Sequence, residues 1–303
     1  MPCWLDGTFH DREERLLGLD IGAFHYGVAV FEGILAVRSG RGGKEGAALF
    51  RNADHVKRLW ESAAMLGLEP PYSKEETARI IKDAIRHYRI GTCYVRPVLF
   101  AKDDYTRLLP AARKCSFAVL LKPASFRLLL LKMRMAVSLM MFEEAAIPLS
   151  GRFASLKASG RYLVNALAKR QAERSGFTDA LLFDRQGGLA EATSTNIFVI
   201  RKDSVMTPAP GAIINGITRR SVIDILHDSG YRVEERDIMK DELGVCDAAF
   251  LTGTAAGISP VGRIGKHRLN SRHRIIGEIR DGYVKMLIGQ SGDAEALLDP
   301  VTP

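Results

Sequence analysis

Alternating apolar and polar positions predict a β-rich start to the chain. The segment WLDGTFH places Asp6-Gly7 between two short apolar stretches, a pattern that predicts a hairpin with a type I′ turn. The runs HYGVAVFEGILAVRSG and TCYVRPVLFA are rich in β-branched and aromatic residues, and we interpret both as strands. These segments together predict a sheet in the N-terminal part of the molecule.

Between these strands, apolar positions recur every three or four residues in two stretches, which predicts two amphipathic helices. Asn52 is suited to cap the first helix, which is expected to extend through Leu66. Ser73 and Glu76 have the spacing of a capping box, and the helix that follows them is expected to extend through Tyr88.

The second half of the chain continues to mix the two periodicities. RYLVNALAKRQAERSG predicts a helix ending at Gly176, DALLFD a strand, NIFVIRKDSVMTP a hairpin and NGITRRSVIDILHDSG a further helix. Strands and helices do not alternate strictly, which favours α+β layers over a doubly wound parallel sheet.

Length and charge narrow the class of protein. A chain of 303 residues with 47% hydrophobic residues can form two ordinary domains with buried cores. The net charge of +8 arises from 43 Lys and Arg against 35 Asp and Glu, with both signs spread along the chain. This modest excess suits anionic small molecules at least as well as nucleic acid.

The cysteines and the apolar runs indicate the compartment. The four cysteines are far apart and form no C-x-x-C pair, so we expect reduced thiols and no metal site. The N-terminus lacks a basic segment followed by an apolar one, and Lys132 and Arg134 interrupt the most apolar run. A cytoplasmic protein with no membrane partner is therefore expected.

Two segments are suited to bind an anion through backbone amides. Asn215 to Thr218 stand at the start of a predicted helix, and LTGTAAG follows a predicted strand with small residues that let a ligand approach closely. Lys157, in SLKASGRY, is the third candidate. Taken singly, each is more often an ordinary helix cap, turn or solvated lysine, so the residues alone leave the function open.

Eight blocks in order carry a resemblance to a known family. They are WLDGTF, FHYGVAVFEGI, DHVKRLWESA, YVRPVLF, LKASGRYLVN, ALLFDRQGGLAEATSTNIF, TPAPGAIINGITRRSVI and LTGTAAGISPV. In order and spacing the chain resembles the fold-type IV aminotransferases, most closely the branched-chain amino acid aminotransferases. The resemblance implies an α+β, two-domain enzyme of the D-amino acid aminotransferase-like fold. We expect a small N-terminal α/β domain over 1–118, an interdomain loop over 119–130, and a large C-terminal domain over 131–303 that carries the reactive lysine.

The same resemblance implies pyridoxal 5′-phosphate as the cofactor. It implies that Lys157 bonds to the cofactor aldehyde and, once displaced, carries the proton between the substrate Cα and the cofactor C4′. Glu191 is expected to pair with the pyridine nitrogen, and Tyr162 to bind the 3′-oxygen. The residues expected to bind the phosphate are Arg58, Ile217, Thr218 and Thr254.

The resemblance also implies a substrate site and a reaction. Tyr94, with the amides of Thr254 and Ala255, is expected to bind the substrate α-carboxylate. The residues expected to line the side-chain pocket are Tyr26, Phe31 and Arg96. The reaction implied is transfer of an amino group from a branched-chain or related aliphatic L-amino acid to 2-oxoglutarate, by a homodimer or higher homo-oligomer with no nucleic-acid partner.

Some positions depart from the branched-chain pattern and keep alternatives open. Leu35 stands where those enzymes usually carry arginine, and Leu156 where they usually carry alanine. The stretch ATSTN after Glu191 is closer to D-amino acid aminotransferases and aminodeoxychorismate lyases. The alternatives are one of those activities, an aminotransferase of specialised metabolism, or a non-enzymatic protein that binds nucleic acid or another anion.

Overall fold

A computed structural model describes residues 1–11, 17–39, 46–102, 108, 115–146, 151–292 and 294–301. Its contacts divide the chain into two compact units. The first unit comprises Met1–Phe126, Leu156–Gly160 and Met286–Pro303, and the second comprises Arg127–Ser155 and Arg161–Lys285. Each unit contains one sheet with helices, so the predicted α+β class is confirmed.

The first unit is built on an eight-stranded sheet in which the described pairs are antiparallel. Its strands are β1 (Cys3–Leu5), β2 (Thr8–His10), β3 (Ala29–Phe31), β4 (Ile34–Ser39), β5 (Gly46–Phe50), β6 (Cys93–Ala101), β7 (Cys115–Pro123) and β17 (Leu298–Val301). The order is β17-β5-β4-β6-β7-β1-β2, with β3 paired to β6. The long β6–β7 pair forms the centre of this sheet.

The turn between β1 and β2 has the backbone that the sequence predicts. Leu5 pairs with Thr8, and the two residues between them, Asp6 and Gly7, have φ angles of 43° and 101°. A type I′ turn needs positive φ at both central positions, which Asp and Gly tolerate better than other residues. The predicted hairpin is confirmed.

The helices of the first unit differ from expectation in two places. They are α1 (Gly22–Tyr26), α2 (Asn52–Leu66), α3 (Lys74–His87) and α8 (Ala294–Leu297). The capping box of Ser73 and Glu76 is present. Asn52, however, does not cap α2, because Arg51 precedes the helix with φ 50° and Asn52 Nδ2 donates to Asp299. The predicted strand beginning at His25 instead starts within α1, which ends at Tyr26 and is followed by Gly27 with φ 68°.

The second unit is built on a mixed nine-stranded sheet. Its strands are β8 (Val137–Met141), β9 (Asp179–Phe183), β10 (Leu189–Ala192), β11 (Asn196–Arg201), β12 (Ser204–Thr207), β13 (Arg232–Glu235), β14 (Ala248–Gly253), β15 (Gly257–Ile264) and β16 (His267–Arg268). The order is β10-β9-β8-β15-β14-β11-β12-β13, with β16 paired to β15. Every residue of β9 is buried, so both faces of the sheet are covered there.

Four further helices complete the described structure. They are α4 (Phe126–Lys132), α5 (Tyr162–Arg174), α6 (Ile217–Asp228) and α7 (Arg274–Leu287). On one face of the second sheet, α5 buries Ala168 and Ala172 against Ala180 and Leu182 of β9. Leu182→Ala in this cluster is expected to lower the free energy of unfolding by about 2 to 5 kcal/mol.

The two compact units and the secondary structure do not follow the predicted domain boundaries. Residues 119–123 belong to β7 and 126–130 to α4, so the predicted loop over 119–130 is largely regular structure, held by the long pairing of β7 with β6. Leu156–Gly160 is counted with the first unit because Ala158 forms a bridge with Val30 of β3. The segment that carries Lys157 therefore makes its contacts with the N-terminal sheet.

Candidate functional site

Two hydrogen bonds within the first unit hold the backbone of Lys157. Phe31 N donates to Lys157 O at 3.2 Å, and Lys157 N donates to Ser62 Oγ at 3.2 Å. Farther along the segment, Gly160 N donates to Gly27 O, and a Cβ on Gly27 would lie 2.8 Å from Gly160 Cα. A side chain at position 27 would therefore clash with Gly160, so glycine is needed where the segment of Lys157 packs against residue 27.

The side chain of Lys157 lies beside an aromatic ring that a second cation also contacts. Lys157 Nζ is 5.1 Å from the centroid of the Phe31 ring, and Arg96 Cζ is 4.5 Å from the same centroid. Arg96 Nη2 donates to the hydroxyl of Tyr94 at 3.0 Å. Tyr94 and Arg96 are two residues apart on β6 and share one face of the strand. Among the described residues no carboxylate pairs with Arg96.

A buried ion-pair cluster lies next to Phe31 in the sequence. The side chain of Glu32 is fully buried and forms a two-pronged contact with Arg58, with Nε to Oε1 at 2.6 Å and Nη2 to Oε2 at 2.8 Å. His55 Nδ1 contacts the same Oε2 at 2.7 Å. His55 and Arg58 are three residues apart on α2, so they lie on one face of that helix.

Charge and burial oppose each other at this cluster. Burial alone would raise the pKa of Glu32, but the charge and hydrogen bonds of Arg58, with those of His55, hold that pKa well below its usual range. Burial lowers the pKa of His55, and the hydrogen bond that His55 donates to Glu32, with the negative charge of Glu32, opposes this effect. The positive charges of Arg58 and Lys157 lower the pKa further. The cluster is therefore an ionised Glu32–Arg58 pair with a neutral His55.

In the second unit, Glu191 lies at the centre of a buried hydrogen-bond network. Its Oε1 accepts from Arg161 Nη2 at 2.8 Å, and its Oε2 accepts from the backbone N–H of Ile214 at 3.2 Å. Asn196 Nδ2 lies 3.5 Å from Oε2 and donates to Ile214 O at 2.8 Å. Glu191 on β10 is thus tied to the chain that leads into α6.

The start of α6 presents backbone donors that the helix itself does not use. Gly216 precedes the helix, and no side chain caps it. The first four N–H groups of a helix have no partner within the helix, and Ile217 and Thr218, both buried, are the first two residues of α6. A Cβ on Gly216 would lie 2.1 Å from Asn196 Oδ1, so only glycine fits between the helix and Asn196.

The turn between β14 and β15 lies against the turn that follows Glu191. Thr254 and Ala255 are in this turn, which Gly253 and Gly257 close by pairing. A Cβ on Gly253 would lie 2.9 Å from Thr195 Cγ2. The hydroxyls of Thr195 and Thr252 are buried and have no hydrogen-bond partner among the residues described.

Similarity to known proteins identifies the family of this chain. The family model for amino-transferase class IV matches residues 29–264. The chain belongs to the class IV aminotransferases.

Individual relatives of this class IV aminotransferase have similar lengths. A probable branched-chain-amino-acid aminotransferase from Aquifex aeolicus is 31% identical over 99% of the chain and 96% of the relative. The branched-chain aminotransferase of Thermoproteus uzoniensis, solved with norvaline, has a TM-score of 0.90 at 30% identity, over 99% of each chain. A second branched-chain amino acid aminotransferase, from T.th., was solved with N-(5′-phosphopyridoxyl)-L-glutamate. It has a TM-score of 0.89 at 30% identity, over 99% of this chain and 98% of the other.

The comparisons confirm several predictions for this class IV aminotransferase. The resemblance, the fold class, the enzyme class and pyridoxal phosphate as the cofactor are confirmed. Within the described residues, no helix is long and apolar enough to cross a membrane. The roles assigned to single site residues stay predictions.

The predicted site residues divide between the two units. Tyr26, at the end of α1, is 43% exposed, whereas Tyr162 begins α5 and is half-buried. The other members in the first unit are Phe31, Arg58, Tyr94, Arg96 and Lys157, and those in the second are Glu191, Ile217, Thr218, Thr254 and Ala255. A groove of about 970 Å³ in the second unit, beside Met140 and Lys240, contains none of them.

The residues present fit pyridoxal phosphate. Within the first unit, Lys157 is an amine on a fixed backbone, which suits the cofactor aldehyde. Within the second unit, the buried carboxylate of Glu191 and the uncapped start of α6 suit a ring nitrogen and a phosphate. The buried hydroxyls of Thr195 and Thr252, which lack partners among the described residues, are polar groups that a ligand can satisfy.

The sequence interpretation missed three buried residues. Glu32 and His55 lie inside the quoted blocks FEGI and DHVKRL, but nothing in the local pattern indicates that they contact each other. Arg161 lies inside LKASGRYLVN, and its partner Glu191 is in another block. The one signal that could have indicated His55 is its place among the buried positions of the α2 pattern. Glu32 lies between β3 and β4, and Arg161 precedes α5, so helical periodicity does not apply to either.

Proposed function

We propose that this protein transfers the amino group of a branched-chain or related aliphatic L-amino acid to 2-oxoglutarate. The observation that carries the proposal is the group of Lys157, Phe31, Tyr94 and Arg96, which combines an amine, an apolar ring and an arginine-tyrosine pair. The names of the relatives, and the norvaline and phosphopyridoxyl-L-glutamate in their structures, support the same substrates.

The proposed roles in the first unit concern chemistry and the phosphate. Pyridoxal phosphate supplies an electron sink for the charge left when the substrate Cα loses its proton. Lys157 would hold the cofactor through its amine, with loss of water from the aldehyde, and the amine, once displaced by the substrate, would carry the proton between Cα and C4′. Arg58 binds the phosphate, with its guanidinium held in place by Glu32.

The proposed roles in the second unit concern the orientation of the cofactor. Glu191 would accept a hydrogen bond from the protonated pyridine nitrogen, and Tyr162 would donate one to the 3′-oxygen. The amides of Ile217 and Thr218, with the hydroxyl of Thr254, bind the phosphate at the positive end of α6.

The substrate pocket must accept an aliphatic side chain and then the distal carboxylate of glutamate. Phe31 and Leu35 provide an apolar wall, and Leu35 pairs directly with Tyr94 across β4 and β6. Arg96 provides a charge for the distal carboxylate, while Tyr94, with the amides of Thr254 and Ala255, binds the α-carboxylate. Tyr26 completes the wall of the side-chain pocket. A homodimer or higher homo-oligomer, located in the cytoplasm, is part of the proposal.

Gly33→Ala tests the position of Tyr94. A Cβ on Gly33 would lie 2.0 Å from the Tyr94 hydroxyl and 2.6 Å from its Cζ, so the ring must swing away and lose its contact with Arg96. We expect the KM for the amino donor to rise by about tenfold, since a hydrogen bond to a charged group is worth about 1.5 to 3 kcal/mol. Steady-state kinetics with Tyr94→Phe as the comparison checks this, and an unchanged KM would contradict the assigned role.

A panel of amino donors tests the proposed reaction. Holoenzyme is assayed with 2-oxoglutarate and with L-leucine, L-isoleucine, L-valine, L-norvaline or D-alanine as donor, and the glutamate formed is measured. The proposal expects glutamate from the aliphatic L-donors. Activity with D-alanine alone, or release of pyruvate from aminodeoxychorismate without an acceptor, would instead establish one of the alternative activities.

A further inference from the structure

The buried pair of Arg161 and Glu191 has no assigned part in the proposed function. Their side chains are 1% and 7% exposed, and Nη2 donates to Oε1 at 2.8 Å. Arg161 Nη1 also donates to Ala154 O. The arginine immediately precedes α5, so its backbone position is set by the start of that helix.

A buried carboxylate needs compensation before it can serve a ligand. An isolated charge in a protein interior is costly, and a buried carboxyl without a cationic partner tends to take up a proton. A carboxylate can accept about four hydrogen bonds. Arg161 donates to Oε1, and Ile214 donates to Oε2 with Asn196 farther away, so each oxygen of the carboxylate is held by a neighbour in the same unit.

We propose that Arg161 is a positioning residue for the cofactor ring. Its guanidinium favours the ionised form of Glu191 and fixes the plane of the carboxylate, so that a carboxylate oxygen is directed at the ring N–H. The inference rests on the proposed function, because it requires Glu191 to accept a hydrogen bond from the protonated pyridine nitrogen. Arg161 does not itself contact the cofactor, but it determines how strongly Glu191 binds the cofactor nitrogen.

The geometry supports orientation as well as charge compensation. Arg161 acts on one carboxylate oxygen and the Ile214 amide on the other, so the rotation of the carboxylate is fixed from both sides. Ile214 precedes the helix start that is proposed to bind the phosphate. The network therefore links the acceptor for the ring nitrogen to the segment that leads into α6.

Binding of two ligands to the cofactor-free protein tests this role. One ligand is pyridoxal phosphate, and the other is its 1-deaza analogue, in which a C–H replaces the ring nitrogen. Equilibrium dialysis gives both dissociation constants for wild type, Arg161→Met, Arg161→Lys and Glu191→Gln. The ratio of the two constants measures recognition of the ring nitrogen, whereas a purely structural loss weakens both ligands alike.

We expect wild type to prefer pyridoxal phosphate, and Arg161→Met to lose about tenfold of that preference. The reason is that a hydrogen bond to an ionised group is worth about 1.5 to 3 kcal/mol and a neutral one about 1. Arg161→Lys keeps the charge and is expected to retain most of the preference. Arg236→Met, which removes an ion pair with Glu242 elsewhere in the same unit, serves as the control and should leave the ratio unchanged.

The outcomes separate this inference from the function on which it rests. An unchanged or larger preference in Arg161→Met overturns the role of Arg161 while leaving Glu191 in place. Equal binding of both ligands by wild type overturns the role of Glu191, and that of Arg161 with it. Far-ultraviolet circular dichroism of each variant establishes that it is folded. If Arg161→Met does not fold, the ratio of the two dissociation constants is taken from Arg161→Lys, which is expected to retain most of the preference.

Discussion

Lys157→Ala is expected to lower the rate of amino transfer by at least about 10³-fold, in line with the 10² to 10⁴ that a positioned proton-transfer group contributes. The variant loses both the amine that bonds to the cofactor and the base that moves the substrate proton. Because the contacts that fix the segment involve the backbone of residue 157, the fold should be retained. Single-turnover conversion of L-leucine to its 2-oxo acid measures the loss directly.

A matched control separates chemistry from a general change of charge. Lys57 is an exposed lysine of α2 in the same unit, and Lys57→Ala should leave the rate close to that of wild type. Methylamine added to Lys157→Ala should restore part of the activity if the missing group is an amine. Full activity in Lys157→Ala would remove this lysine from the mechanism.

Glu32→Gln is expected to lower the free energy of unfolding by about 3 to 5 kcal/mol, the usual cost of breaking a buried ion pair from one side. The change leaves the Arg58 guanidinium without its carboxylate. It also replaces one of the two oxygens that Arg58 and His55 contact with an amide NH2, which is a donor. Urea unfolding of wild type and variant at pH 7 measures the difference. We also expect weaker cofactor binding, because Arg58 loses the contact that orients it.

The effect of Glu32→Gln should depend on pH in a defined direction. The pKa of Glu32 is lower in the folded protein than in the unfolded chain, so its contribution is fully present above the ordinary pKa of 4.5 and declines as pH falls below that value. The stability difference should therefore hold from pH 7 to about 5 and shrink at lower pH. The exposed Glu61→Gln, also on α2, should show little loss at any of these values, and an equal loss in both variants would contradict the account.

Local features of the fold could be predicted where a short stretch of sequence decides the structure. The Asp6-Gly7 turn and the capping box of Ser73 follow from backbone preferences of the residues themselves. The α+β class followed from mixed periodicities and from the ordered motifs. Lys157 and Glu191 were selected only through those motifs, since a single lysine or glutamate in a turn is uninformative.

Features that depend on distant contacts could not be predicted in the same way. Asn52 has the right chemistry for a helix cap, but its side chain binds Asp299 near the end of the chain. Glu32 lies between β3 and β4 and contacts His55 and Arg58 of α2, so no single periodic pattern in the sequence indicates this cluster. Arg161 is buried, although charged residues are normally exposed, so its burial depends on tertiary packing and could not be predicted from its residue type.

Borohydride reduction of the holoenzyme, followed by peptide mass mapping, identifies the residue that bonds to pyridoxal phosphate. We expect a single modified peptide, in which Lys157 carries the reduced cofactor, and no modified peptide after the same treatment of Lys157→Ala. Attachment to another lysine, or reduction that leaves every peptide unmodified, would contradict the claim that Lys157 is the residue that bonds to pyridoxal phosphate.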